Sequence, residues 1–246
     1  MKRIVGAKLY HFEELGSTND YASILIAKNK PIEGTVVMAD HQVQGKGQYG
    51  RKWVAKSKLN LTLSVILYPN VWVDHQFDLN IMASIAVCDA IHQSSQIKAH
   101  VKWPNDVYVQ DRKICGILIK NNIMGKSIHQ SIIGIGLNVN QKEFDPLIPN
   151  PTSIINESAN PVSLEDLRDV LYLSLDKYYL MLKEAPELLR QEYHNCLWRR
   201  NQMTSYMLGG LRESGIIRGI DDEGKIIIEQ SEGSNAYNLS EIKLIV

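Results

Sequence analysis

Residues 102–106 read Lys102-Trp103-Pro104-Asn105-Asp106, and they form the most informative turn in the chain. The lysine ends an apolar run at residues 97–101, and a second apolar run follows at residues 107–109. Proline lacks a backbone donor and pushes the residue before it toward an extended conformation, so regular structure breaks here. The pattern predicts a strand whose last residue is a lysine held at a fixed point, which suits chemistry on an anion. On turn chemistry alone, a hairpin corner with an exposed lysine is an equal alternative.

A second informative segment lies upstream, between an apolar strand at residues 35–39 and an alternating run at residues 60–67. Glycine lets the backbone approach a ligand closely and expose its N–H groups, and cations add charge for phosphate or carboxylate. The segment therefore predicts a loop that cradles an anion. Its glycines and cations are Gly45, Lys46, Gly47, Gly50, Arg51 and Lys52.

Residues 45–50 also match the glycine pattern of dinucleotide-binding folds, Gly-x-Gly-x-x-Gly. That pattern binds a dinucleotide when it follows a strand and opens a helix. Here residues 51–58 lack the apolar residues at helical spacing that a helix would show. Apolar and polar residues alternate at residues 60–67, as they do in a strand. The predicted order is strand, loop, strand, so a nicotinamide-dependent enzyme is rejected.

Five motifs follow one another along the chain: Gly16-Ser17-Thr18-Asn19; Gln42 with Gly45-Lys46-Gly47 and Gly50-Arg51-Lys52-Trp53; Lys102-Trp103-Pro104-Asn105-Asp106; Lys113 with Gly116-Ile117-Leu118; and Gly134-Ile135-Gly136-Leu137-Asn138-Val139-Asn140. Together and in this order they resemble the motifs of the biotin–protein ligases, also called biotin–[acetyl-CoA-carboxylase] ligases. The resemblance covers nearly the whole chain, and the order of the motifs makes it far more specific than any one of them.

The resemblance implies an α+β fold with two domains. Residues 1–197 would form a mixed-sheet catalytic domain similar to class II aminoacyl-tRNA synthetases, and residues 198–246 a small SH3-like β-barrel. Patterns along the first part are typical of helices at residues 76–95, 163–179 and 186–201 and of a strand with interior glycines at residues 131–140. The second part has short apolar runs at residues 204–208, 216–220, 225–229 and 242–245, separated by turns such as Gly233-Ser234-Asn235.

The reaction implied by the resemblance attaches biotin to a lysine in the biotin carboxyl carrier domain of a carboxylase. The carboxylate of biotin first attacks the α-phosphate of ATP, which gives biotinyl-5′-adenylate and pyrophosphate; the carrier lysine then displaces AMP. The first step brings two anions together, so preorganised cations and backbone donors lower its barrier. Mg²⁺ is expected with ATP because hard phosphate oxygens bind it well, while the sequence does not identify protein ligands for it.

Residue roles follow from the same resemblance, position by position. Lys102 would bridge the biotin carboxylate and the α-phosphate, and Arg51 would contact phosphate, so these two are the catalytic candidates. The candidates for binding biotin are Ser17, Thr18 and Gln42 at the ureido ring, together with Asn19, Gly45, Lys46, Gly47, Gly116 and Lys102. The candidates for binding the nucleotide are Trp53 and Asn138 on the adenine side, together with Arg51, Asn105 and Lys113.

Several of these residues have plainer explanations. Ser17 or Thr18 is also predicted to cap a helix at residues 20–28, a role that is compatible with ligand binding at the helix N-terminus. Purely structural roles are open for four more residues: core packing for Trp53, a solvated hairpin position for Lys113, satisfaction of backbone groups for Asn138 and a turn role for Asp106.

Charge and composition argue against a nucleic-acid or membrane-surface binder. The chain has 27 basic and 27 acidic residues, whereas such proteins usually carry a basic excess. Sixteen residues before Ser17 cannot hold the winged helix-turn-helix of relatives that act as repressors, so a ligase-only chain without DNA binding is expected. No run of about 18 apolar residues and no signal-peptide pattern occur, which predicts a cytoplasmic protein without membrane partners. Because relatives often dimerise through the catalytic sheet, a homodimer is an open expectation.

The cysteines are Cys88, Cys115 and Cys196, and their spacing fits neither a disulfide framework nor a metal site. Cys88 lies in an apolar helical run and is predicted to be buried. Cys115 stands beside Lys113 and Gly116, so it is predicted to lie near the site, although no His or Asn partner points to a nucleophile.

Two other functions stay open. A lipoate–protein ligase shares the fold and the adenylate chemistry, but the loop at residues 45–51 and the motif at residues 102–106 favour biotin. A non-enzymatic biotin-binding regulator is disfavoured because no DNA-binding segment is expected.

The loop departs from the family pattern at one place. This chain has Gln48-Tyr49 where many relatives carry two basic residues, so the adenylate is predicted to be held less tightly.

Overall fold

The computed structural model describes residues 3–246 and has an α+β architecture built on a mixed eight-stranded sheet. Met1 and Lys2, the first residues of the predicted 1–197 domain, lie outside this description. The helices are α1 (Thr18–Asn29), α2 (Phe77–Ser95), α3 (Ile154–Ser158), α4 (Leu164–Glu184) and α5 (Pro186–Cys196). The strands are β1 (Lys8–Leu15), β2 (Thr35–Gln42), β3 (Asn60–Leu67), β4 (Val71–Trp72), β5 (His100–Lys102), β6 (Asp106–Val109), β7 (Arg112–Met124), β8 (Ser127–Asn138), β9 (Met203–Leu208), β10 (Leu211–Ile220), β11 (Ile226–Gln230), β12 (Gly233–Tyr237) and β13 (Ile242–Leu244).

The large sheet runs in the order β1-β2-β3-β8-β7-β6-β5, and the short β4 pairs with β8. β1 and β2 are parallel, and the other pairs are antiparallel. Helix α2, predicted from residues 76–95, packs against both the sheet and α4, which explains why it is apolar on most sides. Within residues 3–246, no helix is long and apolar enough to cross a membrane.

The central strand β8 separates the two faces of this sheet by simple alternation. Ile133, Ile135 and Leu137 are buried in the main core together with apolar residues of α2 and α4. Because side chains alternate along a strand, Gly134 and Gly136 face the opposite side. That side has no side chain at either glycine, so other groups can approach its backbone closely.

The C-terminal part forms a five-stranded antiparallel sheet in the order β12-β11-β10-β9-β13. The apolar runs predicted as strands are confirmed as β9, β10, β11 and β13. The prediction of a turn at residues 233–235 was wrong, because these residues belong to the edge strand β12. Most of β12 is exposed, so its polar residues show no alternation from which a strand could be predicted.

The helix predicted at residues 186–201 also ends earlier than predicted, at Cys196. Leu197 is extended and pairs with Val101 of β5, and the backbone N–H of Trp198 donates to the Val101 carbonyl at 2.8 Å. Pairing with a strand far earlier in the chain overrides the helical pattern. As a result Trp198 lies next to Lys102.

Arg190 of α5 links α2 to the C-terminal sheet. Its Nη2 lies 2.7 Å from Oδ1 of the buried Asp78, and it donates to the carbonyls of Asp221 at 3.3 Å and Asp222 at 2.8 Å. Arg190→Ala would leave a carboxyl group that is 2% exposed without its cation. Because burial already raises the pKa of Asp78, that carboxyl can protonate, and we expect a loss of about 3 kcal/mol in the free energy of unfolding. Urea denaturation measures it.

Arg218→Ala is the matched control for this substitution. Arg218 pairs with Glu229 at 2.8 Å, and both side chains are substantially exposed. Its loss should lower the free energy of unfolding far less than the loss of Arg190, because solvent screens an exposed ion pair. Equal losses in the two variants would contradict a special role for Arg190, whereas replacing Arg190 and Asp78 together by leucine should restore part of the stability.

Candidate active site

The strand register brings three of the predicted motifs onto one face of the large sheet. Lys102 pairs with Asp106, Asp106 with Gly116, and Gly116 with Gly136. Directly paired residues on neighbouring strands point to the same face. The ammonium group, the carboxylate and the two glycines therefore lie in one row across β5, β6, β7 and β8.

Gly116, Gly134 and Gly136, here called the glycine strip, form a floor without side chains next to this row. A methyl group added at Gly134 would lie 2.5 Å from Oδ1 of Asn19. One added at Gly136 would lie 2.3 Å from Cε2 of Trp53, and one at Gly116 would lie 3.1 Å from Cζ3 of the same ring. Asn19 and Trp53 therefore rest directly on the glycine strip, and only glycine leaves room for them.

The segment at residues 17–19 is held at the start of α1 by its own polar groups. Ser17 caps the helix as predicted, since its Oγ accepts from the Asp20 N–H at 3.4 Å. The N–H and the hydroxyl of Thr18 both donate to Oε1 of Gln42, at 2.7 and 3.0 Å. Two of the predicted biotin-binding motifs thus meet at a buried polar pocket.

Ser64 of β3 is a site residue that the sequence motifs did not reveal. Its hydroxyl is buried and lies 2.7 Å from Oγ1 of Thr18 and 2.6 Å from Oδ1 of Asn19. Asn19 in turn donates its Nδ2 to the Leu118 carbonyl at 3.1 Å. The signal was present at residues 60–67, where hydroxyl residues alternate with apolar ones along a buried strand. Buried hydroxyls need partners, so a polar face on such a strand indicates a polar site.

The loop between β2 and β3 folds back on itself, and the predicted order of strand, loop and strand is confirmed. The Gly47 N–H donates to the Arg51 carbonyl at 2.7 Å, and the Trp53 N–H donates to the Gly45 carbonyl at 3.0 Å. A three-residue turn at 48–50 is followed by extended chain, so no helix opens at the glycine pattern. The side chain of Arg51 is exposed.

Lys46 ties this loop to the start of α1. Its Nζ lies 2.7 Å from Oδ2 of Asp20, the residue whose N–H is capped by Ser17. The ammonium of Lys46 is about half exposed, so the ion pair holds the loop without removing its charge from solvent. The role of Lys46 in binding biotin stays a prediction.

Two polar atoms beside the glycine strip are buried and have no hydrogen-bond partner among residues 3–246: Nε1 of Trp53 and Oδ1 of Asn138. Asn138 uses its other end, because Nδ2 donates to the Thr152 carbonyl at 2.9 Å. A role in satisfying backbone groups therefore explains Nδ2 of Asn138 but not its Oδ1. The ring of Trp53 is partly exposed and lies 5.9 Å from Nζ of Lys113, so core packing does not account for it. An open donor and an open acceptor suit a ligand that offers both groups.

The turn at residues 102–106 is fixed by its own side chains. Nδ2 of Asn105 donates to the Ile117 carbonyl, and the Ile117 N–H donates to the Asn105 carbonyl at 3.1 Å. The Trp103–Pro104 peptide is cis, and the indole N–H of Trp103 donates to the Gly224 carbonyl at 2.8 Å. Asn105 therefore anchors the turn, and its predicted contact with the nucleotide stays a prediction.

Lys113 and Asp106 form an ion pair at the edge of the site, with Nζ 2.6 Å from Oδ1. Both side chains are only partly exposed, and Nζ of Lys113 would lie 3.3 Å from a methyl group at Gly116. Lys113 is thus not a freely solvated hairpin lysine, and Asp106 does more than shape a turn. The pair places one positive and one negative charge beside the glycine strip.

Lys102 ends β5 as predicted, and its side chain is partly buried rather than freely solvated. Nζ donates to the Leu244 carbonyl at 3.3 Å and lies 5.1 Å from the ring centre of Tyr108 and 5.7 Å from that of Trp198. Burial lowers the pKa of Lys102 to about 8, because it disfavours the charged form. Nearby charges also act on this pKa: Asp106 raises it, and Lys113, Lys243 and Arg199 lower it.

The prediction that Cys115 lies near the site was wrong for its thiol. Cys115 precedes Gly116 on β7, so its side chain points to the opposite face, where it packs in the core with Val101 and Val107. Burial raises the pKa of this thiol, which removes it as a nucleophile. Cys88 is buried, as predicted.

Comparison with known proteins gives one consistent result. The profile of the biotin/lipoate A/B protein ligase family matches residues 12–138. The bifunctional ligase/repressor BirA of Bacillus subtilis is 31% identical over 248 residues, which cover 98% of this chain and 75% of the relative. The biotin–[acetyl-CoA-carboxylase] ligase of Mycobacterium tuberculosis is 28% identical, with 88% of this chain and 81% of the relative covered. The chain therefore belongs to the biotin/lipoate A/B protein ligase family.

The fold agrees with that membership. The structure of the biotin protein ligase from Aquifex aeolicus in complex with biotin and ATP superimposes with a TM-score of 0.81. The alignment covers 97% of this chain and 99% of the other at 23% identity, so the likeness concerns the fold. The family match includes the glycine strip up to Asn138 and ends before Trp198 and the C-terminal sheet.

Proposed function

We propose that the chain is an ATP-dependent biotin–protein ligase that joins biotin to a lysine of a biotin carboxyl carrier domain through biotinyl-5′-adenylate. One observation carries the proposal. The ammonium of Lys102 and the polar pocket around Thr18 lie on the same face of the sheet, with the glycine strip between them. A ligand with a polar head, an apolar body and a carboxylate tail suits this arrangement, and the names of the relatives support biotin as that ligand.

The chemistry of the first step explains the cations. An oxygen of the biotin carboxylate attacks the α-phosphorus of ATP, and the bond to pyrophosphate breaks. Lys102 would lie between the two anions, and Arg51 would approach the phosphates from the loop, so both offset charge that develops in the transition state. In the second step the neutral amine of the carrier lysine attacks the carbonyl carbon of the mixed anhydride, and AMP leaves.

The remaining assignments divide the site into two halves. We assign the ureido head of biotin to the pocket of Ser17, Thr18, Asn19 and Gln42, with the backbone of residues 45–47 and Gly116 completing it. We assign adenine to Trp53 and Asn138, whose buried polar atoms lack partners within residues 3–246. Lys113 would lie on the phosphate side, and Asn105 would act by holding the turn.

Mg²⁺ would enter as part of the ATP substrate rather than as a resident ion. Within residues 3–246 no group of three or more His, Cys, Asp or Glu side chains is placed to hold a metal. Asp106, the carboxylate in the row, is already paired with Lys113. The residues present therefore do not fit a metal site of their own, and the ion would be bound through the triphosphate, which magnesium prefers in such enzymes.

Exchange of pyrophosphate into ATP tests the proposal and separates it from its nearest rival. Exchange that depends on biotin and not on lipoate would support the biotin ligase. Exchange that depends on lipoate would keep the adenylate chemistry and change the substrate. Tight binding of biotin without exchange would instead indicate a biotin-binding regulator, and the enzymatic proposal would fail.

Several finer features of the resemblance are part of the same proposal. We propose that the chain divides into a catalytic domain at residues 1–197, related in fold to class II aminoacyl-tRNA synthetases, and an SH3-like barrel at residues 198–246. Because the reaction uses ATP, we place it in the cytoplasm. A homodimer is a possible assembly, and analytical ultracentrifugation with and without biotin and ATP would measure it.

Gln48 offers a test of how the loop retains the adenylate. Gln48→Arg restores a basic residue that many relatives carry, and we expect it to slow the release of biotinyl-5′-adenylate by about fivefold, as one partly exposed ion pair allows. Gln48→Glu is the charge-reversed control and should speed release. Stopped-flow chase of the preformed adenylate measures both rates. A native chain that releases the adenylate no faster than Gln48→Arg would contradict the idea.

The pKa of Lys102 predicts a pH dependence. Below about pH 8 the free enzyme carries the ammonium that adenylation needs, and above it the amine is neutral. We therefore expect kcat/KM for biotin to fall as the pH rises through about 8, because kcat/KM reports groups of the free enzyme. Bound anions favour the charged form, so the decline in kcat should lie at higher pH. A kcat/KM that stays level to about pH 10 would show that the ammonium stays charged over this range, and the lowered pKa of Lys102 would have to be abandoned.

A further inference from the structure

Lys102 is enclosed on three sides by groups from distant parts of the chain, here called the lysine box: the ring of Tyr108, the indole of Trp198 and the carbonyl of Leu244. Tyr108 comes from the strand next to β5. Trp198 and Leu244 come from the first and last parts of the C-terminal region, which begins 60 residues beyond the last residue of the family match. The C-terminal region thus supplies two of the three sides.

Trp198 is held rigidly in this box. It is 3% exposed, its indole N–H donates to the Gln110 carbonyl at 2.7 Å, and its backbone N–H donates to the Val101 carbonyl at 2.8 Å. The guanidinium carbon of Arg199 lies 4.3 Å from its ring centre on the same segment. Because the indole N–H and the backbone N–H of Trp198 both donate hydrogen bonds, the position of the ring is fixed.

We propose that Trp198 is a positioning residue for the adenylation step: with Tyr108 and the Leu244 carbonyl, it fixes the ammonium of Lys102 and keeps water away from it. The inference rests on the proposed function for its catalytic meaning, but the geometry of the box stands without it. A fixed ammonium lowers the barrier more than a mobile one, because no reorganisation is needed when the two anions approach.

Water exclusion is the part of this role that can be measured. Trp198 also borders an open cleft of about 670 Å³, so the space beyond this residue is accessible to solvent. Removing the indole would let water reach the box, and the cost of burying the charge would fall. The charged and titratable groups that face Lys102 would remain, namely Asp106, Tyr108, Lys113, Arg199 and Lys243. A change in the pKa of Lys102 in a Trp198 variant would therefore measure how far the indole of Trp198 excludes water.

Trace acetylation of the full chain with acetic anhydride at a series of pH values measures the pKa of Lys102 without any substrate. In the native chain we expect titration near pH 8. In Trp198→Ala we expect the pKa to rise by about one unit, and in Trp198→Phe, which keeps an aromatic wall, by much less. Trp72→Ala is the matched control, because Trp72 is 60% exposed on β4.

The same variants give a second readout in pyrophosphate exchange. We expect Trp198→Ala to lower kcat at least about tenfold and to move the alkaline decline of kcat/KM upward with the pKa, and Trp198→Phe to restore most of both. A native pKa near that of a free lysine, or a pKa that is unmoved or lowered in a folded Trp198→Ala, would overturn the inference. If Ala prevents folding, Trp198→Leu should give a smaller rise. A native chain that shows the expected pKa without biotin-dependent exchange would overturn the proposed function alone.

Discussion

Lys102→Ala is expected to lower the rate of biotin-dependent pyrophosphate exchange at least about 100-fold. The loss of one preorganised group that stabilises developing charge typically costs this much. Here the group is a full cation, and it ends the row that runs through Asp106 to the glycine strip. The pocket around Thr18 is formed by α1, β2 and β3 and should survive, so biotin should still bind, although less tightly. The variant thus separates binding from chemistry.

Lys98→Ala is the matched control for this prediction. Lys98 is an exposed lysine on the same segment, four residues before Lys102 and outside the row. The Lys98→Ala variant should exchange pyrophosphate at the native rate. If Lys102→Ala kept more than about a fifth of native kcat at neutral pH, another cation would have to bridge the anions, and Lys113 would be the next candidate because it lies on the same face.

The parts of this site that could be predicted from sequence are local. The turn at residues 102–106 follows from proline chemistry, the loop at residues 45–53 from its glycines and cations, and the cap at Ser17 from residue type. These segments agree with the structure because their backbone conformation depends on neighbours in sequence. The register of β5 to β8 brings the turn at residues 102–106 into one row with Gly116 and Gly136, and the contacts of Asn19 and Trp53 with the glycine strip bring the other two segments to the same place.

The parts that could not be predicted depend on long-range pairing. Nothing in the local pattern of Trp198 indicates that it leaves a helix to lie beside Lys102, nor that the Leu244 carbonyl accepts a hydrogen bond from a residue 142 positions earlier. Ser64 was missed for a different reason: its neighbours read simply as a strand, and its partners belong to α1. Cys115 was misplaced because proximity in sequence ignores alternation between the faces of a strand.

Gly134→Ala and Gly136→Ala are expected to impair different substrates. A methyl group at Gly134 would meet Asn19, whose side chain is locked between Ser64 and the Leu118 carbonyl, at 2.5 Å. We therefore expect this variant to raise KM for biotin at least about tenfold, since displaced groups lose their hydrogen bonds or their position. KM for ATP should change much less.

Gly136→Ala acts on the other half of the site. Its methyl group would lie 2.3 Å from Cε2 of Trp53, a bulky ring that cannot yield without moving the loop at residues 45–53. We expect KM for ATP to rise at least about tenfold and KM for biotin to change less, because the ring is assigned to adenine.

Each variant is the control for the other, since both add one methyl group to the same strand, where alanine otherwise costs little. Steady-state kinetics with each substrate varied in turn measures the four constants, and thermal unfolding checks the fold. Equal rises of both constants in both variants would mean that the glycine strip supports the site as a whole, and the division into a biotin half and an adenine half would have to be abandoned.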